Sequence, residues 1–301
     1  MAELPNGPIA GLPRKEVLVR IDGHCKLAFV LGYPVAHSAS PVMQQAALAV
    51  AGINAVYLPW AVPPDRLAGA VQGLRAMENL LGANVTVPHK EAIVPLLDSL
   101  MPEAEAVGAV NTVIPREGRL LGDNTDGAGF LAALRQELEC EVRGLTVAIL
   151  GAGGAARAVA TALARAGASA LILLNRTVDR ATRLAELVAS RHPACRVTVQ
   201  LLRQERKITD IADVRLLVNT TSVGLYASDP PLFDYASLSA PILVCDLIYN
   251  PPETPLLQAA RSRGCRASNG FAMLVHQGAL AFERWTGTPA PIQAMREALR
   301  M

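Results

Sequence analysis

The residues that most constrain the fold run from Leu145 to Arg180, LTVAILGAGGAARAVATALARAGASALILLNRTVDR. Thr146 to Leu150 is an uncharged apolar run of strand length, and Gly151-Ala152-Gly153-Gly154-Ala155-Ala156 follows it. Arg157 to Arg165 then places alanines and leucines at helical spacing, and Ala170 to Leu174 is a second apolar run. Strand, glycine turn, helix and strand make one βαβ unit with the G-x-G-x-x-A form of the dinucleotide fingerprint. Gly151 permits the tight turn, Gly153 lets the backbone approach a pyrophosphate, and Ala156 allows close helix–strand packing. The helix start offers unpaired N–H groups and the positive end of its dipole to the anion.

The end of the second strand selects the nucleotide. An NAD-preferring site usually carries Asp or Glu there to hold the ribose 2′-hydroxyl. This chain reads Asn175-Arg176-Thr177, with Arg180 one helical turn beyond. A guanidinium pairs in bidentate fashion with a 2′-phosphate. Either arginine alone could be a solvated residue at a helix start; their position at the ribose end makes NADP the expected cofactor.

The rest of the chain must house a substrate. Its 301 residues suffice for two domains with proper cores, and 51% hydrophobic against 18% charged residues excludes wholesale disorder. A net charge of +2 gives no reason to expect nucleic acid or an anionic membrane surface. No apolar run approaches the roughly 18 residues of a bilayer span. Residues 1–23, rich in Pro and Gly, read as a loosely ordered extension without a signal-peptide core. Five scattered cysteines without a C-x-x-C pair, and five histidines without ligand spacing, suggest neither disulfides nor a metal site. A reducing, cytoplasmic setting fits that usage.

In chain order, Lys26 to Leu31 reads as a strand leading to the hydroxyl-rich His37-Ser38-Ala39-Ser40-Pro41, with Ser40 placed to cap a helix that Pro41 begins. Capping explains one serine and leaves Ser38 over. Ala55 to Ala61 is a strand and Pro64 to Met77 a helix. In Gly82-Ala83-Asn84-Val85-Thr86-Val87-Pro88-His89-Lys90, alternation predicts a strand with one apolar and one polar face. Lys90 then falls in a first helical turn, where the dipole disfavours a cation. Lysines are usually surface residues, but an ammonium in that place, beyond an Asn/Thr face, would also suit acid–base work. Val107 to Ile114 is a strand with Asn111 embedded. Asp123-Asn124-Thr125-Asp126-Gly127 opens a helix to about Leu138, with more polar residues than a cap needs. Later strands end in Asn219-Thr220-Thr221-Ser222 and Ile248-Tyr249-Asn250, at the edge where parallel sheets bind ligands. Gln277 lies on an otherwise apolar helix, Phe271 to Arg284.

Taken in order, HSASP, GANVTVPHK, GAVNT, GDNTDG, GAGGAARA, NRT, VNTTSVG, DLIYNPPETPLL and NGFAMLVHQG resemble the shikimate dehydrogenase family over about residues 26 to 290. His89 stands where many members carry Phe. The resemblance implies an α/β fold of two domains around an interdomain cleft. The substrate-binding domain would be residues 24–127 completed by helices of 271–301, and the Rossmann-like NADP-binding domain 128–270. By position, Lys90 and Asp126 match the family's catalytic pair. Ser38, Ser40, Asn84, Thr86, Asn111, Tyr249 and Gln277 match substrate contacts. Gly151, Ala152, Gly153, Gly154 and Ala155 match the phosphate turn, and Asn175, Arg176, Thr177 and Arg180 the adenosine-phosphate contacts. Thr221, Gly270 and Met273 would lie near the nicotinamide.

The implied activity is NADPH-dependent, reversible reduction of 3-dehydroshikimate to shikimate, a step towards chorismate and the aromatic amino acids, by a monomer or homodimer. The rival within the family is a quinate/shikimate dehydrogenase using NAD, against which Asn175-Arg176-Thr177 argues. A methylene-tetrahydrofolate dehydrogenase shares a related plan and a lysine, but 4% aromatic residues offer no pterin pocket. A non-catalytic NADP sensor would have no reason to keep Lys90 and Asp126 together. Gly127 and Gly270, near the crossings between domains, suggest a mobile cleft.

Overall fold

The computed structural model describes residues 21–208, 213–226 and 228–300, so most of the expected N-terminal extension lies outside the described residues. The first part of the chain runs β1 (Lys26–Gly32), α1 (Ser40–Val50), β2 (Ala55–Ala61), α2 (Leu67–Arg75), β3 (Leu80–Val85), α3 (His89–Ala92), β4 (Ser99–Leu100), α4 (Pro102–Val107), β5 (Thr112–Arg116) and β6 (Arg119–Asp123). Its six-stranded sheet has the order β2-β1-β3-β5-β6-β4. β1, β2 and β3 are parallel, and β5 joins them antiparallel, forming a hairpin with β6. Glu117 and Gly118, both at positive φ, make that tight connection. Short β4 and β6 escape a search for long apolar runs.

α5 (Asp126–Leu138) crosses to the second sheet, built from β7 (Thr146–Leu150), α6 (Gly154–Arg165), β8 (Ala170–Asn175), α7 (Val178–Arg191), β9 (Arg196–Leu201), β10 (Val214–Asn219), β11 (Leu243–Asp246), α8 (Pro255–Ser262) and β12 (Ala267–Ser268). The order β12-β11-β10-β7-β8-β9 is wholly parallel and reverses direction at β7, where the glycine turn sits. Side chains of β7 alternate: Val147 and Ile149 join one core, Ala148 and Leu150 the other. Both faces are covered, which is why the strand reads as a continuous apolar run.

α9 (Phe271–Thr286) and α10 (Ile292–Ala298) return to the first sheet, where Val275, Ala279, Phe282 and Met295 pack with Ala28, Val30 and Met43. Arg284 Nε donates to the buried Asp123 carboxylate at 2.8 Å and pins α9 to the end of β6. α5 lies against both α9 and α6, so it belongs mechanically to both sheets. A Cβ at Gly127 would stand 2.9 Å from Ala162 Cβ, one at Gly129 2.6 Å from Gln277 N, and one at Gly270 would collide with Leu247 O. Gly127 and Gly270 are therefore positions of close packing as well as crossing points.

Several local expectations change. α1 starts at Ser40, with Ala39 as its N-cap; Ser38 Oγ instead accepts from Ser40 N at 3.3 Å. Pro64–Arg66 is a 3-10 turn before the shorter α2. β3 is buried throughout and ends at Val85, because α9 and the cores of both faces enclose it, while Val87 is exposed. Val107 to Val110 does not continue a strand: it closes α4 and turns through Gly108 at φ 67.

No helix among the described residues is long and apolar enough to cross a membrane. All five cysteines are buried and unpaired.

Candidate active site

The C-terminal edges of the two sheets face each other, and the sequence-selected polar residues gather along both. From the first sheet, α3 carries Lys90, whose Nζ donates to Asp126 Oδ2 at 2.5 Å. α3 is a single turn, so the dipole that it can bring to bear on the lysine is slight, and the Asp126 carboxylate is the dominant local charge. Asp126 is the first residue of α5, and its side chain is only 5% exposed. Its Oδ1 accepts from Asn111 Nδ2 at 2.8 Å, so each carboxylate oxygen has a fixed donor. Lys90 itself is 16% exposed, enough to reach a bound molecule.

Asn111 is the hub of the polar cluster. Its Nδ2 also lies 2.9 Å from Thr125 Oγ1 and 3.3 Å from Gln277 Oε1, and its Oδ1 accepts from Thr125 N and Thr112 Oγ1. Thr125 Oγ1 donates to the Gln277 carbonyl at 3.0 Å, tying α9 into the cluster. Asn124 Nδ2 donates to Ala109 O, while its Oδ1 accepts from Asp126 N. The surplus of polar residues in Asp123-Asn124-Thr125-Asp126 is thereby explained: Asp123, Asn124 and Thr125 build the loop, and Asp126 faces Lys90. Thr125 is the N-cap residue of α5, and its hydroxyl serves the cluster rather than capping the helix.

Asn84 Nδ2 lies 3.1 Å from Asn111 O and 3.4 Å from Thr112 Oγ1. Thr86 is anchored through its N–H to Leu31 O. Ser38 precedes α1, and the buried Ser40 is its first residue. Tyr249, on the loop after β11, reaches across from the second sheet: its hydroxyl accepts from Ala39 N at 3.4 Å, between the two serines. Burial raises the Tyr249 phenol above its ordinary value, so it remains a neutral hydroxyl donor. His89 points elsewhere. It is buried, and its Nε2 donates to Val62 O at 2.7 Å inside the first domain.

On the second sheet, Gly151 turns at φ 108, and a Cβ there would stand 2.6 Å from Thr220 Oγ1. Gly153 is the N-cap of α6, with no side chain capping it, and a Cβ there would meet nothing within 4 Å. Ala152, Gly154 and Ala155 complete a cradle of backbone N–H groups with open space above, which suits a pyrophosphate. A Cβ on Gly154 would be 3.3 Å from Lys90 Cβ, so the cradle abuts the Lys90–Asp126 pair. At the far end of β8, Asn175 Nδ2 donates to Thr177 O at 2.8 Å and shapes the turn, leaving Arg176 and Arg180 exposed. That donor set fits a 2′-phosphate.

Thr221 N and Oγ1 both bond Asn219 Oδ1, and Asn219 Nδ2 donates to Asp246 Oδ1 at 3.0 Å. Thr254 Oγ1 and Ile248 N also donate to that fully buried carboxylate, whose pKa burial lifts to about 6. Asp246 thus braces the loops carrying Thr221 and Tyr249. Gly270 N bonds Ile248 O, and Met273 is buried beside it on α9. Glu91 and Arg157, 3.2 Å apart, link α3 to α6.

A phosphate cradle at the switch point of a parallel sheet, facing a lysine–carboxylate pair on a second α/β sheet, defines a two-domain nucleotide-dependent oxidoreductase. Family models for the shikimate dehydrogenase substrate binding domain, shikimate / quinate 5-dehydrogenase and the shikimate 5'-dehydrogenase C-terminal domain match residues 30–113, 133–220 and 270–300. The chain belongs to the shikimate dehydrogenase family. It is 47% identical to the NADP-dependent shikimate dehydrogenase of Methanopyrus kandleri, over 94% of this chain and 98% of that relative. The crystal structure of Aquifex aeolicus shikimate dehydrogenase superimposes with a TM-score of 0.84 at 40% identity, covering 94% of this chain and 100% of that one. The Thermus thermophilus enzyme, solved with NADP(H) and shikimate, gives 0.80 at 40% identity, covering 91% of this chain and 98% of that one.

Proposed function

We propose that this chain is an NADP-dependent shikimate dehydrogenase, which reversibly reduces 3-dehydroshikimate to shikimate in aromatic amino-acid biosynthesis. The observation that carries the reading is the Lys90–Asp126 pair beside the Gly154 cradle. Gly151 to Ala155 would hold the pyrophosphate, Arg176 and Arg180 the 2′-phosphate, and Thr221, Gly270 and Met273 would border the nicotinamide. When bound, that cofactor supplies or accepts the hydride.

The protein's own part is proton transfer and positioning. Lys90 Nζ donates the proton that the ketone oxygen needs as negative charge develops on it, and recovers it in the reverse direction. Asp126 orients the ammonium. Asn84, Thr86, Asn111 and Gln277 stand around the pair to read ring hydroxyls, and analogues lacking them would leave buried polar groups unpaired. Ser38, Ser40 and Tyr249 suit the substrate carboxylate. A Tyr249 contact would make substrate binding depend on both domains.

For domain boundaries we assign 24–127 with 271–301 to substrate and 128–270 to NADP, residues 1–23 being an extension. The cytoplasm is the expected location. A small-molecule substrate is the partner, with no role for nucleic acid; the protein is a monomer or homodimer.

Initial rates at the nicotinamide absorbance band, with shikimate or quinate and NADP or NAD, test the reading. Strong turnover of shikimate with NADP is the expected result. Turnover mainly with quinate or NAD would move the chain to the broader quinate/shikimate class.

A further inference from the structure

Tyr57 is a buried phenol on the edge strand β2 that the reaction outlined above does not use. Its hydroxyl lies 2.8 Å from Asn84 Oδ1. The direction of that bond follows from chemistry. The Asn111 carbonyl can only accept, so Asn84 must turn its Nδ2 towards it and towards Thr112, and its Oδ1 towards Tyr57. The phenol has one proton, which that oxygen takes. Asn111 continues the chain through Nδ2 to Asp126 Oδ1. Tyr57 is therefore connected through the Asn84 amide and the Asn111 backbone to the residue that holds the Asp126 carboxylate.

We infer that Tyr57 is a positioning residue for substrate recognition, acting through Asn84. It holds the Asn84 amide so that both amide protons are spent inside the protein. Oδ1, with one lone pair taken by the phenol, is left an acceptor for a substrate ring hydroxyl. Without the phenol donor, the amide loses the partner on one side and can swing out of that orientation. The ring itself packs 6.2 Å from Trp285, between β2 and α9, so Tyr57→Phe keeps the packing and removes only the oxygen.

The inference rests on the shikimate dehydrogenase reading, and the experiment separates the two. Steady-state kinetics with shikimate and NADP would be run on the unaltered protein, Tyr57→Phe, Asn84→Ala and the double variant, with calorimetric shikimate binding alongside. Tyr57→Phe should raise the shikimate KM and Kd about tenfold, the worth of one buried hydrogen bond, with kcat and the NADP KM within about twofold. In the Asn84→Ala background, Tyr57→Phe should add no further increase. An unchanged shikimate KM in an active Tyr57→Phe protein overturns the inference alone. So does an equal increment in the Asn84→Ala background, or a fall in kcat with a rise in both KM values. No shikimate turnover or binding by the unaltered protein would overturn the functional reading and the inference with it.

Discussion

Lys90 and Asp126 are 36 residues apart in sequence, on different helices, and their charged groups meet at 2.5 Å. The contact joins the turn after β3 to the start of α5, the helix that leaves the first sheet for the second. Both partners are largely enclosed, so water screens the pair less than it would a surface ion pair.

Replacing Lys90 by Ala removes the proposed proton donor and leaves the proposed ring-hydroxyl contacts in place. The kcat for shikimate oxidation should fall about a thousandfold, within the usual range for a positioned acid or base, while calorimetry still records shikimate binding. A loss of less than tenfold would take the proton step away from Lys90.

Arg176 and Arg180 have exposed side chains at the ribose end of β8. Arg176→Ala should raise the KM for NADP by about ten- to a hundredfold, the worth of a charge-assisted hydrogen bond, and leave the KM for NAD nearly unchanged. A parallel rise for both nucleotides would mean that the guanidinium supports the fold of the turn, not recognition of the phosphate.

Asp246 is buried with no cation beside it among the described residues, and its carboxyl is pushed up from 3.8 to about 6. The folded protein thus binds a proton there more tightly than the unfolded chain does. This group's contribution is most favourable at low pH and is lost as pH rises from about 4 to about 6. Asp246→Asn lacks that titration. Relative to the unaltered protein, its unfolding free energy should improve by about 2–3 kcal/mol between pH 4 and pH 7, read from urea unfolding at each pH. A difference independent of pH would mean that the carboxyl titrates normally.

Gly129 brings α5 against α9 at the point where Gln277 faces Asn111. Gly129→Ala puts a methyl 2.6 Å from Gln277 N, a backbone atom that cannot move alone. The variant should lose about 1–3 kcal/mol of stability by overpacking and raise the shikimate KM, since Gln277 is displaced with its helix. Thermal unfolding and steady-state kinetics check both halves. A neutral substitution would show that the helices separate easily.

What could be read before folding was local. An uncharged five-residue run before Gly151-Ala152-Gly153 specifies a buried strand and a phosphate turn, because strand burial and glycine turns leave their mark within a few neighbouring residues. Lys90, Asn111 and Asp126 stood out because polar residues beside apolar strands need a reason. The tertiary structure alone decided what each residue touches. It turned His89 towards Val62, used Asn124 and Thr125 to brace the loop before α5, and set Tyr57, hidden in the apolar segment AVYLPWA, against Asn84. Those contacts link residues up to 152 positions apart. They depend on sheet order and on the close crossing of α5 with α9, and periodicity along the chain carries no record of either.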